Sequence, residues 1–279
     1  GRSTMQEIAN NIFVETGFRG CNVGFIVTEE GVVMIDTPQL PVDAIKWRDE
    51  IAKHGEVRYL INTEPHGDHF SGNHFFEGAI VAHEGTRTAI ISASVDNFIQ
   101  GLQQKSTESL SLVDGFEFRP PTVTFNDRLT LSLGDHIINL INMPGHTAYQ
   151  VAVVIPDNKV VFTSDNIFYR VQAWLHGALP FKWLDSLKQL MELDADVLVP
   201  GHGAICDRSY IPEMSSFIQK WIDVVTTAIQ QGLSMEEAQD TISLLKYYPM
   251  DKGSEPMGEQ VQRMNVARLY HVLQTSTSR

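Results

Sequence analysis

Asn62-Thr63-Glu64-Pro65-His66-Gly67-Asp68-His69 is the stretch whose reading decides the fold. It packs two histidines and two carboxylates between positions 64 and 69, directly after the apolar run Val57 to Ile61. That run reads as a short buried strand, which delivers the polar residues onto a loop at its C-terminal end. Histidine and carboxylate ligands together suit zinc, iron or manganese. Outward from this loop, three more apolar runs end in the same way. His136 to Ile141 leads to His146 in Pro144-Gly145-His146, Lys159 to Thr163 leads to Asp165, and Val197 to Val199 leads to His202 in Gly201-His202-Gly203. A lone Gly-His-Gly is ordinarily a turn. All of these groups in this order, each at a strand end, form a specific signal. Glycine beside a ligand lets the backbone make the close approach that a metal site needs.

The rest of the chain reads as a β-rich half, a second β-rich half, and then helices. Strands are expected at Cys21 to Val27, Gly31 to Asp36, Ala79 to Ala82, Thr122 to Phe125, Leu129 to Leu133 and Gln150 to Ile155. Helical spacing covers Pro41 to His54, Glu84 to Gln104, Trp183 to Leu193, Ile211 to Gln231, Ser234 to Leu245 and Gly258 to Leu273. Ser234-Met235-Glu236-Glu237 carries a capping-box pattern. Residues 98–121 fit neither strand nor simple loop and read as an insertion, a candidate lid. Met250 to Met257 reads as an exposed loop.

A chain of 279 residues with 43% hydrophobic content suits one large α/β domain with helical additions. A net charge of -13 argues against nucleic acid and anionic membrane as partners. Cys21 and Cys206 give no disulfide framework and favour a cytoplasmic location. Gly1-Arg2-Ser3-Thr4 ahead of Met5 reads as a cloning remnant, which leaves open an exported form whose leader has been removed. The helices from residue 210 to the end are long enough either to form a homo-oligomer surface or to cover the pocket.

On the motif at 64–69 and the later His146, Asp165 and His202, the chain resembles the metallo-β-lactamase-fold superfamily of hydrolases. The resemblance implies an α/β fold, an αββα four-layer sandwich over residues 5–209, with a C-terminal helical extension over 210–279 packed on the same domain. The family's first motif reads His-x-His-x-Asp-His, and here it reads Glu64-Pro65-His66-Gly67-Asp68-His69. Carried over by position, one metal site would take Glu64, His66 and His146, a second Asp68, His69 and His202, with Asp165 bridging. One or two divalent ions are implied, Zn²⁺ first, with Fe²⁺ or Mn²⁺ favoured by the extra carboxylate of Glu64. The implied activity is hydrolysis of an ester, thioester, lactone or amide by a metal-bound hydroxide, with Asp68 as the catalytic residue that orients it or accepts its proton. Aspartate at 165 resembles the glyoxalase II, lactonase and phosphodiesterase branches, whereas β-lactamases of this fold usually carry cysteine or serine there. A β-lactamase-like activity is the alternative. In flavodiiron-type relatives glutamate replaces the second histidine of the motif, not the first.

Glu64 admits three readings: a working ligand, a side chain turned away that leaves a mononuclear enzyme, or the mark of a hydrolytically impaired, metal-poor binding protein. Tyr149, Tyr169, Trp174 and His176 are candidates for the substrate pocket, and Phe116, Phe118 and Met143 for its opposite wall. Asp36 is expected to hydrogen-bond the loop that carries the ligands. His54, His74, His83, His136 and His271 read as ordinary structural or surface histidines, and the arginines as scattered surface charges.

Overall fold

The computed structural model describes residues 4–276. Of the stretch read as a cloning remnant, residues 1–3 lie outside the described residues, while Thr4 hydrogen-bonds the Glu15 carboxylate. Seven strands form the first sheet in sequence order: β1 (Met5–Ala9), β2 (Ile12–Glu15), β3 (Val23–Thr28), β4 (Gly31–Ile35), β5 (Val57–Asn62), β6 (Ala79–His83) and β7 (Val123–Phe125). Pairing is antiparallel from β1 to β4 and parallel from β4 to β7. The second sheet has the order β12 (Val197–Gly203), β11 (Val160–Tyr169), β10 (Val151–Ile155), β9 (His136–Asn142), β8 (Arg128–Leu133). Only its β11–β12 pair is parallel.

Alternation along the strands decides the layering. Ile12, Val14, Ile26, Val33 and Ile61 of the first sheet meet Ile138, Leu140, Val153 and Phe162 of the second in one dry layer. The other face of the first sheet, with Phe25, Met34 and Leu60, buries Trp47 and Ile51 of helix α1 (Pro41–Ala52). The outer face of the second sheet packs on α5 (Pro180–Glu192), α6 (Ile211–Gln230) and α8 (Gly258–Ser276) through Trp183, Leu187, Ile218, Trp221 and Leu269. The result is an αββα sandwich with a C-terminal helical part on one flank.

Several expectations need correction. The hairpin β1–β2 was not foreseen: β1 is exposed or half-buried along its length and gives a weak alternation. The expected helix Glu84 to Gln104 is two helices, α3 (Glu84–Ser92) and α4 (Val95–Lys105), because Ala93 is extended and Ser94 caps the second one through Asn97 N. Residues 98–121 pack on the domain and bring Lys105 to the cavity wall. Phe116 stacks on Phe98 with centroids 5.0 Å apart, and Phe118 packs edge-on against Phe70 at 5.3 Å, so one packs within the segment and the other anchors it, and neither lines the cavity. Met143 is buried in the core rather than at the site. The capping box forms at α7 (Met235–Thr241), whose helix is shorter than the pattern implied. A four-residue helix, α2 (Gly67–Phe70), carries the end of the motif.

Candidate metal centre

Glu64, His66, Asp68, His69, His146, Asp165 and His202 converge at one edge of the sandwich. Their ligand atoms fall into two groups, Glu64/His66/His146 and Asp68/His69/Asp165/His202. The first motif leaves β5 and passes directly into α2, whose turn brings Asp68 and His69 round to the same centre. His146 follows β9, and its amide donates to Asn166 Oδ1 at 3.0 Å. Asp165 lies inside β11, which runs further than the apolar pattern indicated. The register there is irregular and Ser164 adopts φ 52°, so the strand reorients its carboxylate. A Cβ at Gly201 would come within 1.8 Å of Asp165 Oδ1, so the bare glycine makes room for that carboxylate.

Distances around the centre are short. His69 Nε2 lies 2.8 Å from Glu64 Oε1 and 3.2 Å from Asp165 Oδ1. Asp165 Oδ2 lies 3.4 Å from His146 Nε2 and 3.3 Å from His202 Nε2, so this carboxylate spans both groups. His202 Nε2 is 3.2 Å from Asp68 Oδ2. His66 Nδ1 is 2.9 Å from Glu64 Oε2 and 3.2 Å from His146 Nε2. Glu64 is fully buried and turned into the site, where its Oε2 also accepts the His66 amide at 3.0 Å.

Electrostatics follow from crowding three carboxylates and four histidines out of water. Burial penalises every charge, but the histidine charges outweigh it and hold Glu64, Asp68 and Asp165 below the ordinary carboxylate range. In return, Glu64 overcomes the burial of His66 and raises it to about 9, and the surrounding carboxylates hold His69 and His202 well above 6.5. His146 behaves differently, because burial dominates and pushes it down.

Two orienting carboxylates lie behind the ligands. Asp36, itself at φ 58°, accepts from Thr63 N at 2.8 Å and from Thr63 Oγ1 at 2.6 Å, and its Oδ2 is 2.8 Å from His69 Nδ1. This is the role expected of it. Asp251 does the same for His202, with Oδ2 2.8 Å from Nδ1. Sequence reasoning missed Asp251, and the loop at 250–257 is not merely exposed, since Asp251, Lys252, Gly253, Ser254 and Met257 line the cavity. Asn22 was also missed. Its side-chain amide donates to Pro200 O at 2.9 Å and Gly203 O at 2.8 Å, and so ties the His202 strand to the first sheet.

The cavity over the centre measures about 320 Å³. Trp174 and His176 line it, as does Phe168, whose ring stacks on His202 with centroids 5.2 Å apart. His176 packs on His66 at 4.5 Å, and burial together with the nearby His66 and His146 lowers it to about 4. Tyr149 and Tyr169 are not among the lining residues. Tyr149 turns back over His83 at the end of β6 and Gly85 at the start of α3, and Tyr169 packs edge-on against Tyr210 of the helical part. Arg19, Lys105 and Lys252 do line the cavity, so three of the chain's cations are not scattered surface charges.

The donor set fits a metal. His69 Nε2 and Asp165 Oδ1 are buried and face each other, yet neither makes a hydrogen bond. Buried polar atoms are rarely left so, and a shared cation between them satisfies both. The sequence profile of the metallo-beta-lactamase superfamily matches residues 16–202, a span that contains every one of these ligands. The chain belongs to that superfamily, whose members bind divalent metals, and it is a metallo-hydrolase. It is 24% identical to the 2,4-dinitroanisole O-demethylase subunit alpha of a Nocardioides species, over 88% of this chain and 70% of that one. It is 24% identical to a hydroxyacylglutathione hydrolase of Brucella anthropi, over 90% and 87% of the two chains. Among solved structures, the sec-alkylsulfatase Pisa1 of a Pseudomonas species superposes with a TM-score of 0.72 at 15% identity, covering 97% of this chain and 50% of that one. That coverage extends the shared fold to the C-terminal helices.

Proposed function

We propose that the protein is a binuclear metal-dependent hydrolase of small organic acyl compounds: esters, thioesters, lactones or amides. Glu64, His66 and His146 would hold one ion and Asp68, His69 and His202 the other, with Asp165 within reach of both groups. When bound, divalent metals at these positions supply Lewis acidity and acidify water. Asp36 and Asp251 accept the Nδ1 protons of His69 and His202, which leaves each Nε2 lone pair aimed into the centre. Asp68 Oδ2 takes the proton that the attacking water gives up, and Trp174 and His176 close the His66 side against bulk water. The reaction named for the hydroxyacylglutathione hydrolase relative supports an acyl substrate. Zinc is the first choice of metal, with iron or manganese favoured if the three carboxylates dominate. A small-molecule substrate and a cytoplasmic location complete the reading.

The observation that carries it is Glu64, fully buried and within 4 Å of His66, His69 and His146 at the position the family gives to histidine. Elemental analysis of protein purified without chelator tests it, alongside Glu64→His. Two metals per native chain are expected. One metal, rising to two in Glu64→His, would make the enzyme mononuclear.

A further inference from the structure

The cavity has two unlike sides. Around His66 and His146 it is aromatic: His176 packs on both rings, and Trp174 lies 5.8 Å from His176. Around Asp68 and His202 it is cationic. Arg19 comes from the loop between β2 and β3, Lys105 from the last residue of α4, and Lys252 from the loop ahead of α8. Three segments distant in sequence thus each bring a positive charge to one wall, in a chain with 34 acidic and 21 basic residues.

Two of these three charges have no ion pair among the described residues. The lysine and arginine ion pairs among the described residues involve Lys53, Lys159, Lys252 and Arg263. Arg19 and Lys105 are in none of them and, among the described residues, donate no hydrogen bond. Lys252 reaches a carboxylate only at 3.7 Å, its neighbour Asp251. Backbone placement holds the arrangement. Gly253, at φ 83°, lies so close to Arg19 that a Cβ there would stand 3.0 Å from Cγ, Cδ and Nε. Gly20, at φ 95°, sets the next residue against Asp68, where a Cβ would be 3.3 Å from Asp68 Cβ. Lys105 is close enough to Arg19 to be repelled by it: burial and then that repulsion lower its pKa, and Asp68 pulls the other way. Like charges brought to one wall beside a reaction centre, without an ion pair or hydrogen bond of their own, are stabilised by an anion placed between them.

We propose that Arg19 and Lys105, with Lys252, form the recognition site for an anionic group of the substrate, a carboxylate, sulfonate or sulfate ester. The substrate then lies with its anion on the Asp68 and His202 side and its apolar end against Trp174 and His176. The orientation rests on the proposed hydrolase reading, whereas the anion site itself does not. Equilibrium binding by calorimetry on the protein as purified separates the two. The probes are 3-phenylpropane-1-sulfonate, a weak metal ligand, and its neutral methyl sulfone isostere. The sulfonate is expected to bind about tenfold or more tightly than the sulfone at low salt, with the preference shrinking as salt rises. In Arg19→Gln/Lys105→Gln, and separately in Lys105→Glu on the exposed end of α4, the preference should fall to near one. No preference in the native protein overturns the proposal. A preference undiminished in both variants also overturns it, because the anion would then be held by the metal centre. Neither result depends on turnover, so loss of the hydrolase reading leaves this test intact.

Discussion

His69 and His202 are held by the same device in two different parts of the molecule. Each presents Nε2 to the centre and gives Nδ1 to a carboxylate at 2.8 Å. For His69 the partner is Asp36, at the end of β4, the strand next to the one that launches the motif. The whole assembly lies within the first sheet and its loops. For His202 the partner is Asp251, which arrives from the C-terminal helical part, beyond α7. The first arrangement is part of the sandwich itself. The second joins the sandwich to its extension, so the extension positions a residue of the candidate metal centre as well as covering a sheet face.

Substitutions at the two carboxylates should therefore separate stability from metal affinity. Asp36→Ala is expected to have the largest effect. It removes a fully desolvated group with three partners and leaves Thr63 N–H and His69 Nδ1 unsatisfied. A loss of about 3–5 kcal/mol is expected in denaturant unfolding, with metal affinity lost alongside. A stable Asp36→Ala protein would break the contrast, because the two positions would then be equivalent.

Asp251→Ala should act on the metal alone. Its side chain is 13% exposed, and in the centre it contacts His202. Unfolding should change by less than about 1 kcal/mol, whereas metal affinity, measured by chelator competition, should fall roughly 10- to 100-fold. A fall confined to one of two bound metals would sharpen the assignment of His202 to the Asp68 group. Unchanged affinity would reduce Asp251 to a surface contact.

The same contrast explains what the sequence disclosed. The clustering of the candidate ligands was legible because each sits within a few residues of a strand end, so local pattern and position coincide. Asp36 was legible for the same reason. Asp251, Asn22 and the cations Arg19, Lys105 and Lys252 were not, because each reaches the site from a segment whose local pattern says only loop or helix end. No periodicity encodes which distant loop folds over a cavity. Tyr149 and Tyr169 failed in the opposite sense. They lie close in sequence to His146 and Asp165, but Tyr149 sits in the turn ahead of β10 and Tyr169 lies beyond the register irregularity of β11, so neither side chain follows its neighbour into the site. The helix expected over Glu84 to Gln104 failed at Ala93 and Ser94, where a cap begins a new helix within a continuous apolar pattern.

The smallest expected effect concerns protons, and it bears on the Glu64 side of the centre. In the metal-free protein Glu64 raises His66 from 6.5 to about 9. A histidine whose folded pKa is raised stabilises the fold fully below its unfolded value, and that contribution is lost as pH rises through the folded one. Chelated protein should thus lose thermal stability between about pH 6.5 and 9, in the direction opposite to a fold held by depressed carboxylates, which weakens on acidification. Metal binding must displace the same proton, so binding near pH 7.5 should release it, and calorimetric enthalpies should vary with the ionisation enthalpy of the buffer. Glu64→Gln keeps the size of the side chain and removes its charge. It should flatten the alkaline slope and reduce the number of protons released by about one. If the slope and the proton count were unchanged in Glu64→Gln, the charge on His66 would be set by Asp68 and Asp165 instead, and the two groups of ligands would act as a single cluster.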